Sequence, residues 1–265
     1  MRINNYHKAV SLEDAYEVLK KNGQNSIIAG GAWMRLSSKE IETAIDLSNL
    51  GLDQIVLADN SIKIGAMATL RDVESSDLVQ ALGDGILCQA IHKIMGVSIR
   101  NLATIGGSVI GKFGFSDIMT PLLVLETTLE FYKKGKISLE DFLESKDREP
   151  DILLHIYLKK QDTSGYFYKM TKNSLDFAVV NVAISKTNNQ FKIAVGARPS
   201  IAHLAQNAMN YLNGEKVIND EVISKAVEIA MQEFKFGTNS RSSEEYRSQI
   251  AAVYINRGLN EVNKR

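Results

Sequence analysis

Cysteine is nearly absent from this sequence: among 265 residues only Cys88 carries a thiol. One thiol makes no internal disulfide, thiolate zinc site or iron–sulfur cluster. Any redox metal the protein works with is therefore expected on another chain. The same scarcity points to a cytoplasmic setting. Net charge is missing too, because 31 Lys plus Arg stand against 31 Asp plus Glu. A balanced chain offers no electrostatic footprint for DNA or RNA. It also lacks the basic amphipathic face of a membrane-surface helix. No stretch approaches the roughly 20 apolar residues of a membrane span. The opening, MRINNYHKAVSLEDAYEVLKK, holds no apolar core of signal-peptide length. Internal repeats and low-complexity segments are absent. So are the GxGxxG and GxxxxGK patterns, which disfavours a Rossmann or P-loop site.

Apolar residues make up 45% of the chain, enough to bury a core, and the length suits two small domains better than one. Ser11 to Asn22 reads as a helix with Ser11 as N-cap, Asp14 three residues on, and Leu12, Ala15, Tyr16 and Leu19 in one stripe. Ile27 to Ala29 reads as a buried strand running into Gly30-Gly31, and Thr43 to Leu47 as a second strand. Ile62, Ile64 and Ala66 alternate as a half-buried strand should. Thr69 and Asp72 open a capped helix, and Ile86 to Ile94 form another, closed by Gly96. The stretch IRNLATIGGSVIG reads as a loop, followed by a helix from near Asp117 that takes Pro121 in its first turns. Leu129 to Tyr132 and Ile152 to Leu158 read as strands. From Tyr166 the character changes. YFYKM, FAVVNVAIS and FKIAVGA predict three strands, with Asn188-Asn189 as a hairpin turn. Two helices follow, Asp220 to Phe234 and one capped by Ser242 with Glu245. Strands followed by helices predict a separate α+β domain, with the boundary near Gln161 to Gly165.

Two glycine pairs are the features that could carry chemistry. Gly30-Gly31 follows a buried strand, and glycine lets backbone N–H groups approach a ligand with no Cβ in the way. Successive inward N–H groups make a nest for an anion such as pyrophosphate. Thr104-Ile105-Gly106-Gly107-Ser108 is a second such turn, flanked by hydroxyls able to donate to phosphate oxygens. A plain tight turn explains either pair taken alone. Two nests together suit a long ligand with two phosphates. Asp117, ten residues after Gly107, could accept from ligand hydroxyls or serve as an N-cap. His7, His92, His155 and His203 are scattered, and none pairs with an acid at ligand spacing. No nucleophile arrangement and no metal-ligand set stands out, so no catalytic residue is assigned. Trp33 beside the first nest could stack on a ring or simply pack.

These residues carry a resemblance. IIAGGA resembles the first FAD pyrophosphate loop of the flavin subunits of molybdenum hydroxylases, the medium chains of xanthine dehydrogenase and carbon monoxide dehydrogenase type enzymes. IRNLATIGGSVIGKFGFSDIMTPLLVLE resembles their second loop, with Arg100, Asn101, Thr104, Gly106, Gly107 and Asp117 in register. YKMTKNSLDFAVVNVAI resembles the opening of their C-terminal domain, with Lys169 and Asp176 matching. RSSEEYRSQIAAVYINRGL resembles the last helix, with Arg241, Tyr246 and Arg247 matching. The likeness spans nearly the whole chain, and the second loop is its specific part.

The resemblance implies an α+β chain. A two-subdomain FAD-binding fold of the vanillyl-alcohol oxidase (PCMH) type would span 1–162, with subdomains of about 1–55 and 56–162. A smaller α+β domain of the CO dehydrogenase flavoprotein type would span 163–265. It assigns Ile28, Ala29, Gly30, Gly31, Ala32 and Trp33, with Thr104, Ile105, Gly106, Gly107 and Ser108, to the pyrophosphate. It assigns Asp117 to FAD hydroxyls and Lys169 to the surroundings of the flavin ring. The implied role is electron transfer from [2Fe–2S] clusters on one partner, through FAD, to NAD or another acceptor. A molybdenum-cofactor subunit would hold the substrate, a purine such as xanthine by family likeness. No histidine or cysteine lies near either nest, so the FAD is expected to be held without a covalent link. Two departures stand out. Ala32-Trp33 replaces the hydroxyl or acid residues usual after the first pair, and Gly111-Lys112-Phe113-Gly114 replaces an Asn-Ala-x-Pro stretch. Two alternatives remain open: a self-contained FAD-dependent reductase of the same fold, as in the UDP-N-acetylenolpyruvoylglucosamine reductases, and a non-redox assembly or scaffold protein.

Overall fold

A computed structural model describes residues 1–265. The chain forms two compact units, each assembled from three segments. Unit 1 comprises Met1–Val73, Gly96–Gly111 and Thr128–Leu158, and unit 2 comprises Glu74–Met95, Lys112–Thr127 and Lys159–Arg265.

Unit 1 holds a three-stranded parallel sheet in the order Arg2–Lys8, Glu40–Asp46, Ser26–Ile28. Parallel neighbours need a crossover, and the helix Leu12–Lys21 supplies one. It starts as its sequence dictates, with the Asp14 N–H donating to the Ser11 hydroxyl at 3.1 Å. Ala15 and Leu19 go into a core with Ala9, Ile45, Leu47, Leu52 and Ile152. The first strand, Arg2–Lys8, was not legible: RINNYHK is exposed along nearly all its length and shows no apolar alternation. A second sheet runs in the order Ile55–Ala58, Ser61–Gly65, Leu153–Lys159, Thr127–Phe131, Gly135–Ser138. The stretch from Ile99 to Gly111, expected as a loop, instead lies largely in two short helices, Val97–Arg100 and Ile105–Ile110. Its glycine pair lowers helix propensity, and tertiary placement overrides that weak prior.

Unit 2 is built on a four-stranded antiparallel sheet in the order His203–Leu204, Gln190–Gly196, Val180–Thr187, Thr163–Met170. The Asn188-Asn189 turn forms as expected, with both residues at positive φ, 49° and 61°. The strand Val180–Thr187 is buried on both faces. Val180, Val182 and Ile184 pack against the C-terminal helices Asp220–Glu233 and Glu244–Asn263. Asn181 and Ser185 face the other way, bonded to residues on or just before the helix Met119–Val124. This double burial is why FAVVNVAIS reads as a continuous apolar run with no clean alternation. A third C-terminal helix, Gln206–Gly214, was not anticipated. The last helix is capped by Ser243 and not Ser242: the Tyr246 N–H donates to the Ser243 hydroxyl at 3.3 Å. Ser242 is tied instead into paired backbone bonds with Asn239. Arg247, 1% exposed, donates to the Val179 and Ala197 carbonyls and to Asn239 Oδ1, so one guanidinium ties the start of one strand to the end of the next.

Gly258, inside the last helix, lies flat against the sheet. A Cβ there would sit 2.5 Å from Tyr166 Cδ1 and 2.6 Å from Ile184 Cδ1. Helix propensity favours alanine by about 1 kcal/mol, but overfilling a packed core costs about 1–3 kcal/mol. Packing should win, so Gly258→Ala should lower the urea midpoint of unfolding. An unchanged or higher midpoint would show that the helix can lift away freely.

Candidate functional site

The two glycine turns meet inside unit 1, and their four glycines divide into two kinds. Gly30 and Gly106 are places where backbone touches backbone. A Cβ on Gly30 would sit 1.4 Å from the Leu102 carbonyl oxygen, and one on Gly106 would sit 2.5 Å from the Ala66 carbonyl oxygen. The second turn is laced to its neighbours by Leu70 N–H to the Ala103 carbonyl, Ile105 N–H to Ala68 and Gly106 N–H to Ala66. Gly31 and Gly107 are different. Gly31 has φ of 62°, and nothing lies within 4 Å of where its Cβ would be. Gly107 is exposed, and its Cβ position meets only the Thr104 hydroxyl oxygen, at 3.1 Å. Gly30 joins the two turns and Gly106 seats the second turn on Ala66, whereas Gly31 and Gly107 meet no backbone.

The hydroxyls flanking the second turn are already engaged. Thr104 caps the helix Ile105–Ile110, accepting the Gly107 N–H at 3.2 Å, and keeps its own hydroxyl proton. The Ser108 hydroxyl donates to the Thr104 carbonyl at 2.8 Å, so in this rotamer it has no proton to offer. In the first turn, Ile28 ends a strand. Ala29 and Ala32 are half-buried, and Trp33 is 38% exposed at the start of the short helix Met34–Leu36. Ile105 is fully buried and anchors its turn from below.

Asp117 and Lys169 belong to unit 2, where they pair with one another. Lys169 Nζ lies 2.8 Å from Asp117 Oδ2 and donates to the Lys93 carbonyl at 2.9 Å; the two side chains are 3% and 7% exposed. Asp117 is therefore not a helix N-cap, because the helix begins at Met119 with no side-chain cap bond. Burial pushes the Asp117 carboxyl above the ordinary carboxylate range, against the opposing pull of Lys169 and Asn181. Sequence reasoning missed Asn181, which donates to Asp117 Oδ1 at 3.0 Å. The available signal was a single amide inside an apolar strand, since a fully buried amide needs partners. Nearby, Arg241 pairs with Asp176 at 2.9 Å and its guanidinium lies 4.6 Å from the Phe177 ring centre. Phe177 meets Phe115 edge-on, and Phe115 stacks on Phe113. Phe113, in the Gly111–Gly114 stretch, thus joins an aromatic cluster with Phe115 and Phe177.

Three of the histidines do meet an acid, though none at ligand spacing. In the fold His7 meets Asp14, His92 meets Glu74 and His155 meets Glu130, each within 2.8 Å. The partners lie 7, 18 and 25 residues apart in sequence, which is why local spacing did not show them. Each is a single pair, and none gathers three potential ligands.

Residues 1–158 match the family described as the FAD binding domain in molybdopterin dehydrogenase. Residues 165–262 match the CO dehydrogenase flavoprotein C-terminal domain. The chain is 24% identical to the xanthine dehydrogenase FAD-binding subunit of Escherichia coli O157:H7, over 97% of this chain and 94% of that one. It is 24% identical to the glyceraldehyde dehydrogenase medium chain of Sulfolobus acidocaldarius, over 97% of both. Among solved structures, a chain of the carbon monoxide dehydrogenase of Hydrogenophaga pseudoflava superimposes with a TM-score of 0.90 at 22% identity, covering 100% of this chain and 98% of that one. A chain of the quinoline 2-oxidoreductase of Pseudomonas putida 86 gives 0.86 at 21%, covering 98% and 96%.

The two kinds of glycine predict opposite outcomes for the same substitution. Gly30→Ala should prevent unit 1 from closing, because a methyl cannot share space with the Leu102 carbonyl. Gly107→Ala, exposed and in a helical turn, should stay within about 1 kcal/mol of wild type. Thermal melts of the two purified variants compare them directly; equal melting temperatures would contradict the division.

Proposed function

Because the chain belongs to the family of FAD-binding domains of molybdopterin dehydrogenases, we propose that it is the flavin-holding link of a molybdenum hydroxylase complex, set between cluster and acceptor. Its class is settled: it is an FAD-binding oxidoreductase subunit of the molybdenum hydroxylase family. Its relatives include a nicotine 6-hydroxylase medium subunit and a dehydrogenase complex subunit alpha, which supports a hetero-oligomer. No helix is long and apolar enough to cross a membrane.

The finer reading concerns residues and partners. The observation that carries it is the contact of Gly30 with Leu102, which brings the two glycine turns together while Gly31 and Gly107 stay uncovered by other backbone. Nothing stands where a Cβ would be at Gly31, and only the Thr104 hydroxyl does at Gly107, so the main chain at both is open to a group such as pyrophosphate. Ile28 to Trp33 would hold it through backbone N–H groups; in Thr104 to Ser108, where the N–H groups of Ile105 to Ser108 are already bonded within the chain, the Thr104 hydroxyl would add a donor. Asp117 would accept from cofactor hydroxyls, and Lys169 would stand in the flavin's surroundings. When bound, FAD supplies a group that takes up and releases electrons one or two at a time, which suits a chain between single-electron clusters and a two-electron acceptor such as NAD. With Cys88 as its one thiol, the chain cannot itself house the [2Fe–2S] clusters. Those belong on a second chain, and the molybdenum cofactor on a third.

Two measurements test this reading. Gly107→Val puts a branched side chain on this open main chain at an exposed position. The circular dichroism spectrum should match wild type while the visible flavin absorption disappears; full occupancy in the variant would show that the phosphate lies elsewhere. Co-expression with candidate cluster and molybdenum subunits should give a native mass well above that of the 29.3 kDa chain. A chain that stays monomeric beside them, and reduces a substrate with NADH by itself, would favour the reductase alternative.

A further inference from the structure

One face of the unit 2 sheet carries an amide among apolar neighbours. Asn181 is fully buried and stands opposite Lys169 in the strand register. Its Nδ2 donates to Asp117 Oδ1 and to the Ser116 carbonyl, each at 3.0 Å, and its Oδ1 accepts from the Thr120 hydroxyl at 3.3 Å. On its other side the register neighbour is Gly196. A Cβ at Gly196 would sit 2.5 Å from Asn181 Oδ1. The sheet thus gives up a side chain next door to leave room for this one.

Lys169 has three N–H donors. Asp117 takes one and the Lys93 carbonyl takes another, which leaves one with no partner in this chain. The direction of that third donor is fixed by the other two. One of those depends on Asp117, a residue on the connection leading into the helix Met119–Val124. Asp117 is in turn held by Asn181, which sits on a strand and is rigid by comparison. Packing alone does not account for this arrangement. A buried ion pair with its supporting amide is often no more stable than apolar side chains of the same volume. If filling space were the only requirement, leucine would serve at 181.

We propose that Asn181 is a positioning residue of the flavin site: by holding Asp117 from the strand beside Lys169, it fixes the charge and direction of the ammonium offered to FAD. This rests on the reading above, in which Lys169 stands in the flavin's surroundings. Asn181 itself need not touch the cofactor.

The test uses the full chain with Asn181→Leu, Asn181→Asp and Asn181→Ser, each titrated with FAD. Three quantities are read: the FAD dissociation constant, the visible spectrum of bound flavin and its midpoint potential. Losing a bond to a charged group should weaken FAD about tenfold in Asn181→Leu. Asn181→Asp sets a second carboxyl beside Asp117 and should lower the potential, because flavin reduction adds negative charge nearby. Asn181→Ser trims the side chain without overfilling the site. It should weaken FAD in the same direction, and it decides the matter if the leucine variant fails to fold. Variants that lose thermal stability but keep wild-type affinity, spectrum and potential would show that the amide only packs, and the proposal would fall while the cofactor reading stood. A wild-type chain that takes up no FAD would remove the cofactor reading itself, and this inference with it.

Discussion

Backbone lying on backbone, with no side chain between, is the constraint on which unit 1 depends. At Gly30 and Leu102, Gly106 and Ala66, and Gly65 and Leu52, the space a Cβ would need is already occupied by a carbonyl. These contacts draw turns from distant parts of the sequence together. Cores built from side chains tolerate substitution when volume is kept. A contact made of main chain has no volume to trade, so it tolerates almost none. What it returns is precision: two turns held by their own peptide groups cannot drift with the rotamer of a neighbour. The open glycines, Gly31 and Gly107, inherit that fixity without contributing to it.

Unit 2 is organised by charge taken out of water. Removing Lys169 and Asp117 from solvent costs several kcal/mol per ion, and their mutual attraction offsets this only where the remaining hydrogen-bonding capacity is met. Asn181 and the Lys93 carbonyl meet part of it. Arg247 follows the same rule with no acid in its set, donating only to carbonyls and to an amide oxygen. Both sites lie against the same sheet, although the Arg247 Nε is left without a partner.

Much of this was legible in the sequence because it rests on local chemistry. Ser11 with Asp14, Thr69 with Asp72, and Asn188-Asn189 each form the cap or turn their side chains encode. The strands of unit 2 announced themselves by composition. The failures have physical causes. Arg2–Lys8 is held by pairing along one edge and not by burial, so it carries no apolar pattern. The helix at Ile105–Ile110 is masked by the glycines that bring it close to its neighbours. Thr104 was readable as a hydroxyl beside a glycine pair, but not as the cap that takes the Gly107 N–H. Asn181 and the histidine partners are long-range pairings, and spacing along a chain does not reveal which distant residue will arrive opposite.

The chain passes between its two units five times, at about residues 74, 96, 112, 128 and 159. Unit 1 therefore cannot finish folding until Leu158 has left the ribosome, although its first strand is made within the first ten residues. During that interval early strands wait with unpaired edges, the condition in which nascent chains are most exposed to misassembly. Interleaving also means that neither unit can be cut out at a single site, lost by truncation or exchanged as a cassette.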